Sequence, residues 1–549
     1  MNSKIFDMLT RFLYLLSICL LLSTDAFTCT NLIVAKGAGK NNSTFLTYAA
    51  DAGGFMEPLF FVAARKHQPG ETVDIYDWDT GKYLGKIAQA KETYKVVGNM
   101  NEYQLAIGET TFTGLDSYRD TTGIIDYGSL IRLTLQRAKT AREAIEIIDK
   151  LTTQYGYYST GESLSLVDKN EAWIMEIHPK GIGNKGIVWV ARRIPDGHIA
   201  AHANQARIRE IPKNDPNTLF SKDVESFAKN QKIDKYHNDK FSFADTYNPL
   251  DPSGTLFCEG RVWRYYSLAA PSMELSEDYW RAVEGADPYP LFIKPDSKIG
   301  LDELSTWMRD HFEGTEYDMT KGLAAGPYGC PYRWKSLRWQ TDSDTTRSYA
   351  WERPIGTQQT AWSMIAQMRS DLPDAIGGVF WYGPDAASTS VYMPIYTTIE
   401  EVPAPLSSGD ITKFSWDVMF WSFNAVANRS YLQFSEIYSD IQKVQSYYES
   451  NFKKTQPSIE KTALELYKSG AEESARFLLS NYTTSNVIQV NSRWKELWEY
   501  ITVKFNDGYM NDVTKDNGRS PKSLGYDNEF LKKVIESRPG YYDLNWKKQ

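Results

Sequence analysis

Short runs of apolar and β-branched residues, each ending at turn residues, divide the first part of the chain into predicted strands. Between Asp126 and Leu151 the apolar residues recur at helical spacing instead, which predicts two helices. Strands grouped before and after a helical segment are typical of an α+β fold. The predicted strands cover residues 29–35, 44–50, 59–64, 103–108, 163–167, 172–177, 186–191 and 198–203.

The pattern changes after about residue 405, where Tyr, Lys, Glu and Ala recur at helical spacing over 414–453 and 458–505. Gln456-Pro457 predicts an interruption between these two helical segments. The stretch 506–549 contains Gly, Asp, Asn and Pro throughout and is interpreted as irregular. The sequence therefore predicts three parts, which are a leader at 1–28, a main domain at 29–405 and a helical C-terminal region at 406–549.

The first 28 residues have the parts of a secretory signal peptide, including an apolar run from Phe12 to Leu22. That run is shorter than the roughly 20 residues of a membrane-spanning helix, and no later stretch is long and uncharged enough to span. We therefore expect no membrane insertion once the leader is removed. Cleavage after Thr28 places Ala26 three residues before the cut and makes Cys29 the first residue. The alternatives are cleavage a few residues away and a lipid attached to Cys29.

Charge and cysteine usage narrow the class of protein. The formal net charge is −8 and the sequence pI is about 5.5, without a basic block, so nucleic acid is excluded as a partner. Loss of the leader removes Cys19 and leaves three cysteines. Either Cys258 and Cys330 form a disulfide and leave Cys29 as a spare thiol, or all three are reduced.

A search for common site motifs gives no cofactor or metal prediction. Gly181-Ile-Gly-Asn-Lys-Gly186 fits the dinucleotide-binding pattern, but it lies between two predicted strands and opens no helix, so it is predicted to be a hairpin loop. The six histidines are dispersed, and only His198 and His202 are close together. Since no third ligand accompanies that pair, a metal site stays the minor alternative.

Several short motifs follow one another along the chain after the leader. They are Cys29-Thr-Asn-Leu-Ile-Val with Asp51, Gly98-Asn-Met-Asn-Glu102, Ala172-Trp-Ile-Met-Glu176, Trp189-Val-Ala-Arg-Arg-Ile-Pro195, Ala203-Asn-Gln205, Met308-Arg-Asp-His-Phe-Glu-Gly314 and Gln358-Gln359. The ordered set resembles the cysteine dipeptidases of the N-terminal-nucleophile hydrolase superfamily and covers most of the chain. The resemblance implies an αββα sandwich with a helical C-terminal region, and a cofactor-free catalytic domain at 29–405 that hydrolyses small peptides.

The chemistry of an N-terminal Cys29 agrees with this resemblance. Its α-amine has an unperturbed pKa of about 7.7 to 8.0, so the amine can act as the base for its own thiol near neutral pH. Nucleophile and base then come from one residue, and the peptide bond is broken through a thioester intermediate.

The resemblance also assigns roles to other residues. Asn204 is the candidate donor to the oxyanion, although an isolated asparagine at a strand end more often caps that strand. Asp51 matches the family aspartate that holds the nucleophile or its amine. It follows Tyr48-Ala-Ala rather than the Arg-Asn-Glu run common in the wider family. Positive charge near the thiolate must then come from elsewhere, and the candidates are Arg261 first and Arg264 second, whose alternative role is a surface or interdomain ion pair.

A dipeptidase has to recognise a free α-ammonium group, and burying that charge without an acid is costly. Glu109 is the acid predicted for this role, with Tyr48 as the second substrate-binding residue. The alternative for Glu109 is an ordinary solvated glutamate at the end of the strand 103–108.

Two other functions stay open at this point. One is a secreted binding protein that uses its aromatic residues, 14% of the chain, as stacking platforms. The other keeps the enzyme but replaces the dipeptide by an acylated amine, as in the penicillin acylases and bile salt hydrolases. The leader predicts a secreted or periplasmic protein, or one in a lysosome-like compartment, and the sequence is compatible with a homo-oligomer.

Overall fold

Two antiparallel sheets form the centre of the structure, a computed structural model that describes residues 29–333, 338–514 and 521–543. The predicted leader lies outside the described residues. In the first sheet the strand order is β12-β10-β1-β2-β13-β14-β15. Its strands are β1 (Asn31–Val34), β2 (Ser43–Asp51), β10 (Ile199–His202), β12 (Phe292–Ile293), β13 (Thr360–Arg369), β14 (Val379–Pro384) and β15 (Met393–Tyr396).

The second sheet has the strand order β11-β9-β8-β7-β6-β5-β4-β3. Its strands are β3 (Phe61–Val62), β4 (Val96–Val97), β5 (Met100–Asn101), β6 (Ala106–Thr113), β7 (Gly161–Val167), β8 (Ala172–Pro179), β9 (Ile187–Arg193) and β11 (Thr218–Phe220). The remaining strands form small sheets: Arg65–Lys66 with Glu92–Thr93, Thr72–Tyr76 with Tyr83–Ala88, Tyr236–His237 with Lys240–Phe241, Arg338–Thr341 with Asp344–Ala350, and Phe505–Asn506 with Tyr509–Met510 and Lys522–Ser523.

Helices pack on the outer faces of both sheets, and others lie elsewhere in the described residues. They are α1 (Tyr127–Leu135), α2 (Ala141–Tyr155), α3 (Val224–Gln231), α4 (Phe243–Tyr247), α5 (Gly260–Ala269), α6 (Leu301–Trp307), α7 (Asp374–Gly377), α8 (Met419–Ser430), α9 (Phe434–Lys468), α10 (Glu472–Lys504) and α11 (Asn528–Ser537). Side-chain caps define several helix starts. Asp126 accepts from the N–H groups of Gly128 and Ser129 at the start of α1, and Thr140 accepts from Glu143 N–H at the start of α2.

The contacts place the elements in four layers. Strands β1 and β2 face β6 and β7 across the centre, while α1 and α2 pack on the outer face of the second sheet. Helices α5, α6 and α8–α10 pack against the first sheet. One buried apolar cluster joins the first sheet to these helices, and a second joins the second sheet to α1 and α2. None of the helices in the described ranges combines the length and the apolar composition needed to cross a membrane.

The mixed α/β prediction is confirmed in its coarse form, with antiparallel sheets and a helical C-terminal region. The loop 181–186 joins the antiparallel strands β8 and β9, as predicted. The interruption predicted at Gln456-Pro457 is wrong, because α9 continues through Pro457. The break comes instead at Gly470, whose φ of +86° suits glycine. The irregular prediction for 506–549 is wrong in part, since α11 forms there under an Asp527 cap.

Candidate active site

Cys29 lies directly before β1, at the junction of the two sheets. It is 2% exposed, and the neighbouring residue Thr30 pairs with Ala49 of β2. The Cys29 Sγ atom lies 3.4 Å from Glu109 Oε1 and 3.6 Å from the Tyr48 hydroxyl. The Tyr48 hydroxyl also donates a hydrogen bond of 2.7 Å to the same oxygen of Glu109. The thiol, a phenol and a carboxylate therefore meet at one point.

Burial dominates the electrostatics on this side of Cys29. It raises the pKa of the Cys29 thiol well above its ordinary value, and the charges of Glu109 and Asp51 raise it further. A hydrogen bond from the Asp51 backbone N–H and the hydrogen bond between Cys29 and Tyr48 act in the opposite direction. Burial also raises the pKa of Glu109, which is 1% exposed. Cys29 is therefore a protonated thiol in this arrangement, and it needs a base before it can react.

Arg261 provides the positive charge on the other side of Cys29. Its Nη1 donates to the Cys29 carbonyl at 2.6 Å and to Thr30 Oγ1 at 2.7 Å, while Nη2 donates to Ala203 O and Asn204 Oδ1, both at 3.0 Å. A π-helical turn over Gly254–Glu259 precedes α5 and delivers this side chain. Burial lowers the pKa of Arg261 to about 10, so the guanidinium stays charged at neutral pH.

Arg264, the second candidate for this charge, lies elsewhere. It forms a bidentate ion pair with Asp310, with N to O distances of 2.8 and 2.6 Å. The prediction that Arg264 supplies charge to the nucleophile is therefore wrong, and the ion-pair alternative describes it.

Asp51 ends β2 and forms a buried ion pair that the sequence did not predict. Its Oδ2 accepts from Arg353 Nη2 at 2.9 Å, and its Oδ1 accepts from Thr360 Oγ1 at 2.6 Å. Burial raises the pKa of Asp51, and the Arg353 guanidinium opposes that rise. Arg353 lies in a non-periodic loop, so neither apolar spacing nor a motif marked it in the sequence.

Asn204 follows β10 with a φ of +67°, a left-handed conformation that few side chains other than glycine and asparagine adopt. Its Oδ1 accepts from Arg261, and its Nδ2 donates to Thr111 O at 2.8 Å. Because one N–H of this amide is bonded to Thr111, a bond to an oxyanion has to come from the other N–H. Cys258 Sγ lies 3.4 Å from the Asn204 carbonyl, and Cys29, Cys258 and Cys330 are all reduced thiols.

The structure therefore brings together Cys29, Tyr48, Asp51, Glu109, Asn204 and Arg261, from both sheets and α5. The solvated alternative for Glu109 is wrong, because the residue is buried within β6 rather than following a strand. The sequence also missed Glu162 of β7, which is 1% exposed and is a diagonal neighbour of Glu109 on the same face of the sheet. Glu162 lies one residue before the predicted strand 163–167, and nothing in the local sequence marks Glu109 as its neighbour.

A narrow cleft begins beside Tyr48. The Tyr48 ring contacts the edge of Trp362 at a centroid distance of 5.1 Å, and Trp362 lines the cleft. An ion pair between Arg132 and Glu57 lies in its wall. The Arg132 guanidinium lies over the rings of Phe60 and Trp78, at 4.2 and 4.3 Å from their centroids. The other aromatic lining residues are Phe60, Trp78, Phe380 and Tyr382.

Comparison with known sequences identifies the family. The sequence profile of Peptidase family C69 matches residues 28–447, which is most of the chain. The chain belongs to this peptidase family. Family membership confirms the resemblance noted in the sequence and favours an enzyme over the binding-protein alternative. The matched region of the C69 profile begins one residue before Cys29.

Three curated relatives that align with this chain carry dipeptidase names. A probable dipeptidase of Salmonella dublin is 25% identical over 394 residues, covering 67% of this chain and 80% of the relative. A probable dipeptidase of Latilactobacillus sakei is 24% identical over 400 residues, covering 68% and 75%. A dipeptidase of Bifidobacterium longum is 24% identical over 441 residues, covering 73% and 76%. The C69 chain described here is thus a hydrolase of peptide bonds, similar along most of its length to proteins with these names.

Proposed function

We propose that this C69 peptidase is a secreted dipeptidase whose nucleophile is Cys29, freed as the N-terminal residue by removal of residues 1–28. The observation that carries the proposal is the convergence of Tyr48, Glu109 and Arg261 on Cys29 at the junction of the sheets. The start of the C69 match at residue 28 and the dipeptidase names of the relatives support it. The four-layer order supports an N-terminal-nucleophile αββα sandwich.

In this proposal the free α-amine of Cys29 takes the thiol proton, and the thiolate attacks the scissile carbonyl. The side-chain amide of Asn204 stabilises the oxyanion, a contribution on the order of 3 kcal/mol for one such donor. The C–N bond of the substrate breaks, and the protonated α-amine of Cys29 gives its proton to the nitrogen of the leaving amino acid. A thioester remains on Sγ. Water that is deprotonated by the same amine then hydrolyses the thioester.

Arg261 and Asp51 act on the position and charge of the nucleophile. Arg261 fixes the Cys29 carbonyl and Asn204 Oδ1 at the same time, so nucleophile and oxyanion donor keep a constant separation. The Asp51 backbone N–H donates toward Sγ and stabilises the thiolate. The Arg353 ion pair holds Asp51 in place.

Dipeptide selectivity is assigned to the opposite side of Cys29. Glu109, with Tyr48, binds the α-ammonium of the substrate. Glu109→Gln is expected to raise KM for dipeptides far more than KM for an N-acylated substrate, which lacks the ammonium group. Equal changes for both substrates would favour the acylated-amine alternative.

Two measurements test the proposed function. The first is the mass of the N-terminal peptide of protein secreted by a host that processes the leader, which is expected to begin at unmodified Cys29. The second is turnover of a dipeptide panel by wild type, Cys29→Ala and Cys330→Ala. Cys330 is a buried thiol in a separate small cluster with Tyr332 and Phe434, so it is a matched control. A start at another residue together with full activity of Cys29→Ala would overturn the proposal.

A further inference from the structure

Glu109 has a second buried carboxyl group as its neighbour. Strands β6 and β7 pair with Glu109 opposite Leu164 and Thr111 opposite Glu162, so Glu109 and Glu162 are diagonal neighbours on one face of the sheet. Both side chains are 1% exposed. Two carboxyl groups that meet away from water cannot both carry a negative charge without a large electrostatic cost.

The hydrogen bonds around the pair leave one place for a proton. Glu109 Oε1 lies against Tyr48 and Cys29, and Glu162 Oε1 accepts from Thr111 Oγ1 at 3.1 Å. Glu109 Oε2 and Glu162 Oε2 are buried, and no N–H or hydroxyl of the described residues donates to either. A hydrogen bond between the two carboxyl groups would satisfy both of these oxygens, and such a bond requires a proton on one of the two groups.

The groups with the largest effects on the pair are acids, phenols and a thiol. From the packed elements these are Cys29 before β1, Tyr48 of β2, Asp79 in the turn between the strands Thr72–Tyr76 and Tyr83–Ala88, Tyr127 of α1 and Tyr157 after α2. Burial and the charge of Glu109 raise the pKa of Glu162 well above its ordinary value. The hydrogen bond with Glu162 acts in the opposite direction on Glu109. Glu109 accepts from both Tyr48 and Cys29 whereas Glu162 accepts only from Thr111, so the negative charge is better placed on Glu109 and the proton on Glu162.

We propose that Glu162 is a positioning residue for Glu109. Glu162 stays neutral and donates a hydrogen bond to the Glu109 carboxylate, so that Glu109 remains ionised and turned toward Cys29 and Tyr48. This inference rests on the proposed function, in which Glu109 binds the substrate ammonium. A neutral donor on one side lets Glu109 keep its charge in a buried place. Glu162 itself touches neither the substrate nor the reacting atoms.

Two substitutions separate the donor from the volume of the side chain. In Glu162→Gln the amide N–H replaces the carboxyl O–H, so kcat/KM for a dipeptide should stay within about threefold of wild type, with the same acidic limb of its pH profile. In Glu162→Met the donor is lost, so the pKa of Glu109 rises and the acidic limb should move upward by about one pH unit or more, mainly through KM. A merely structural role would lower activity in both variants at every pH and leave the limb in place, which would overturn the inference.

A direct measurement keeps the inference testable if Glu162→Met does not fold. Infrared difference spectra of wild type against Glu162→Gln at pH 7 should show the loss of one C=O stretching band of a protonated carboxylic acid. An unchanged carboxylic-acid band would overturn the inference. Failure of the proposed function would appear differently, as an unchanged KM in Glu109→Gln or full activity in Cys29→Ala.

Discussion

The two sides of Cys29 differ in how buried charge is balanced. On the side of Arg261, each buried charge has a partner: Asp51 binds Arg353 and Thr360, and Arg261 donates to four oxygens around Cys29. On the side of Glu109, the groups that face the buried carboxylate from the described elements are acids, phenols and a thiol. We call the Arg261 side, where buried charges have partners, the complete side, and the Glu109 side, where the facing groups are acids, phenols and a thiol, the incomplete side.

This difference separates scaffold from recognition. A complete set of partners gives a rigid frame, because removal of any member leaves a buried charge unpaired and is costly. An uncompensated carboxylate instead favours the arrival of a cation, and the free α-ammonium of a dipeptide is such a group. We therefore expect substitutions on the Arg261 side to affect stability and substitutions on the Glu109 side to affect KM.

The largest effect is expected at Cys29 itself, where the two sides meet. Cys29→Ala removes the nucleophile, and turnover of dipeptides should fall by roughly 10⁴-fold or more. Steady-state assays measure this, with Cys330→Ala expected to keep near-normal activity. Comparable losses in both variants would indicate that a buried thiol is needed for folding rather than for catalysis.

Arg353→Met tests the complete side. Asp51 would remain buried without its cation, so the free energy of unfolding should fall by about 3 to 5 kcal/mol, measured by denaturant titration. The double variant Asp51→Asn with Arg353→Met removes both charges and should recover part of that loss. A loss in the double variant equal to the sum of the single losses would contradict a direct coupling between the two residues.

Glu109→Gln tests the incomplete side. Loss of a charged hydrogen-bond partner for the ammonium group, worth about 1.5 to 3 kcal/mol, should raise KM for dipeptides by roughly 10- to 100-fold. The free energy of unfolding should change little or rise, since a buried uncompensated charge is removed. Stability that falls as much as in Arg353→Met would erase the distinction between the two sides.

Substitution of Asp79 should have the smallest effect on KM for dipeptides, and this effect depends on pH. Burial raises the pKa of Asp79 to about 6, and Tyr127 donates a 2.8 Å hydrogen bond to it. Asp79 is negatively charged only above that pH, and a negative charge on this side of Cys29 favours binding of the substrate α-ammonium. KM for dipeptides should therefore fall a few-fold as the pH rises through about 6. In Asp79→Asn this fall should disappear. The contribution of Asp79 to stability has the opposite sign, since a raised pKa gives stability that is present below about pH 4 and lost as the pH rises through about 6.

Local patterns were sufficient to predict much of the sheet core but not its exact limits. Strands β1, β2 and β7–β10 follow from short apolar runs bounded by turn residues, whereas β6 extends five residues beyond the predicted end at Gly108. The polar residues Glu109, Thr110 and Thr111 hide that extension, because they face buried polar partners rather than solvent. A strand that carries a polar site loses the apolar signal by which strands are recognised.

Long-range partners and helix limits were beyond the reach of local patterns. Arg353 pairs with Asp51 across 302 residues, and nothing near either residue in the sequence marks the other. Pro457 predicts a helix break, but tertiary contacts hold its turn, since Gln456 donates to Tyr396 and Glu460 binds Arg369 of β13. Motifs shared with a family located Cys29, Asp51 and Asn204, which local chemistry alone could not rank.

The long separation between Asp51 and Arg353 also bears on synthesis of the chain at the ribosome. Strand β2 pairs with β13, so the edge of β2 formed by residues 43–51 stays unpaired until residues 360–369 have been synthesised. At the usual 5 to 20 residues per second, about 300 residues take roughly 15 to 60 s to synthesise. During that interval a strand with every residue buried in the final fold has an open edge, which is a hazard for aggregation. Holdase chaperones that bind extended apolar segments are thus expected to act on the first fifty residues after Cys29.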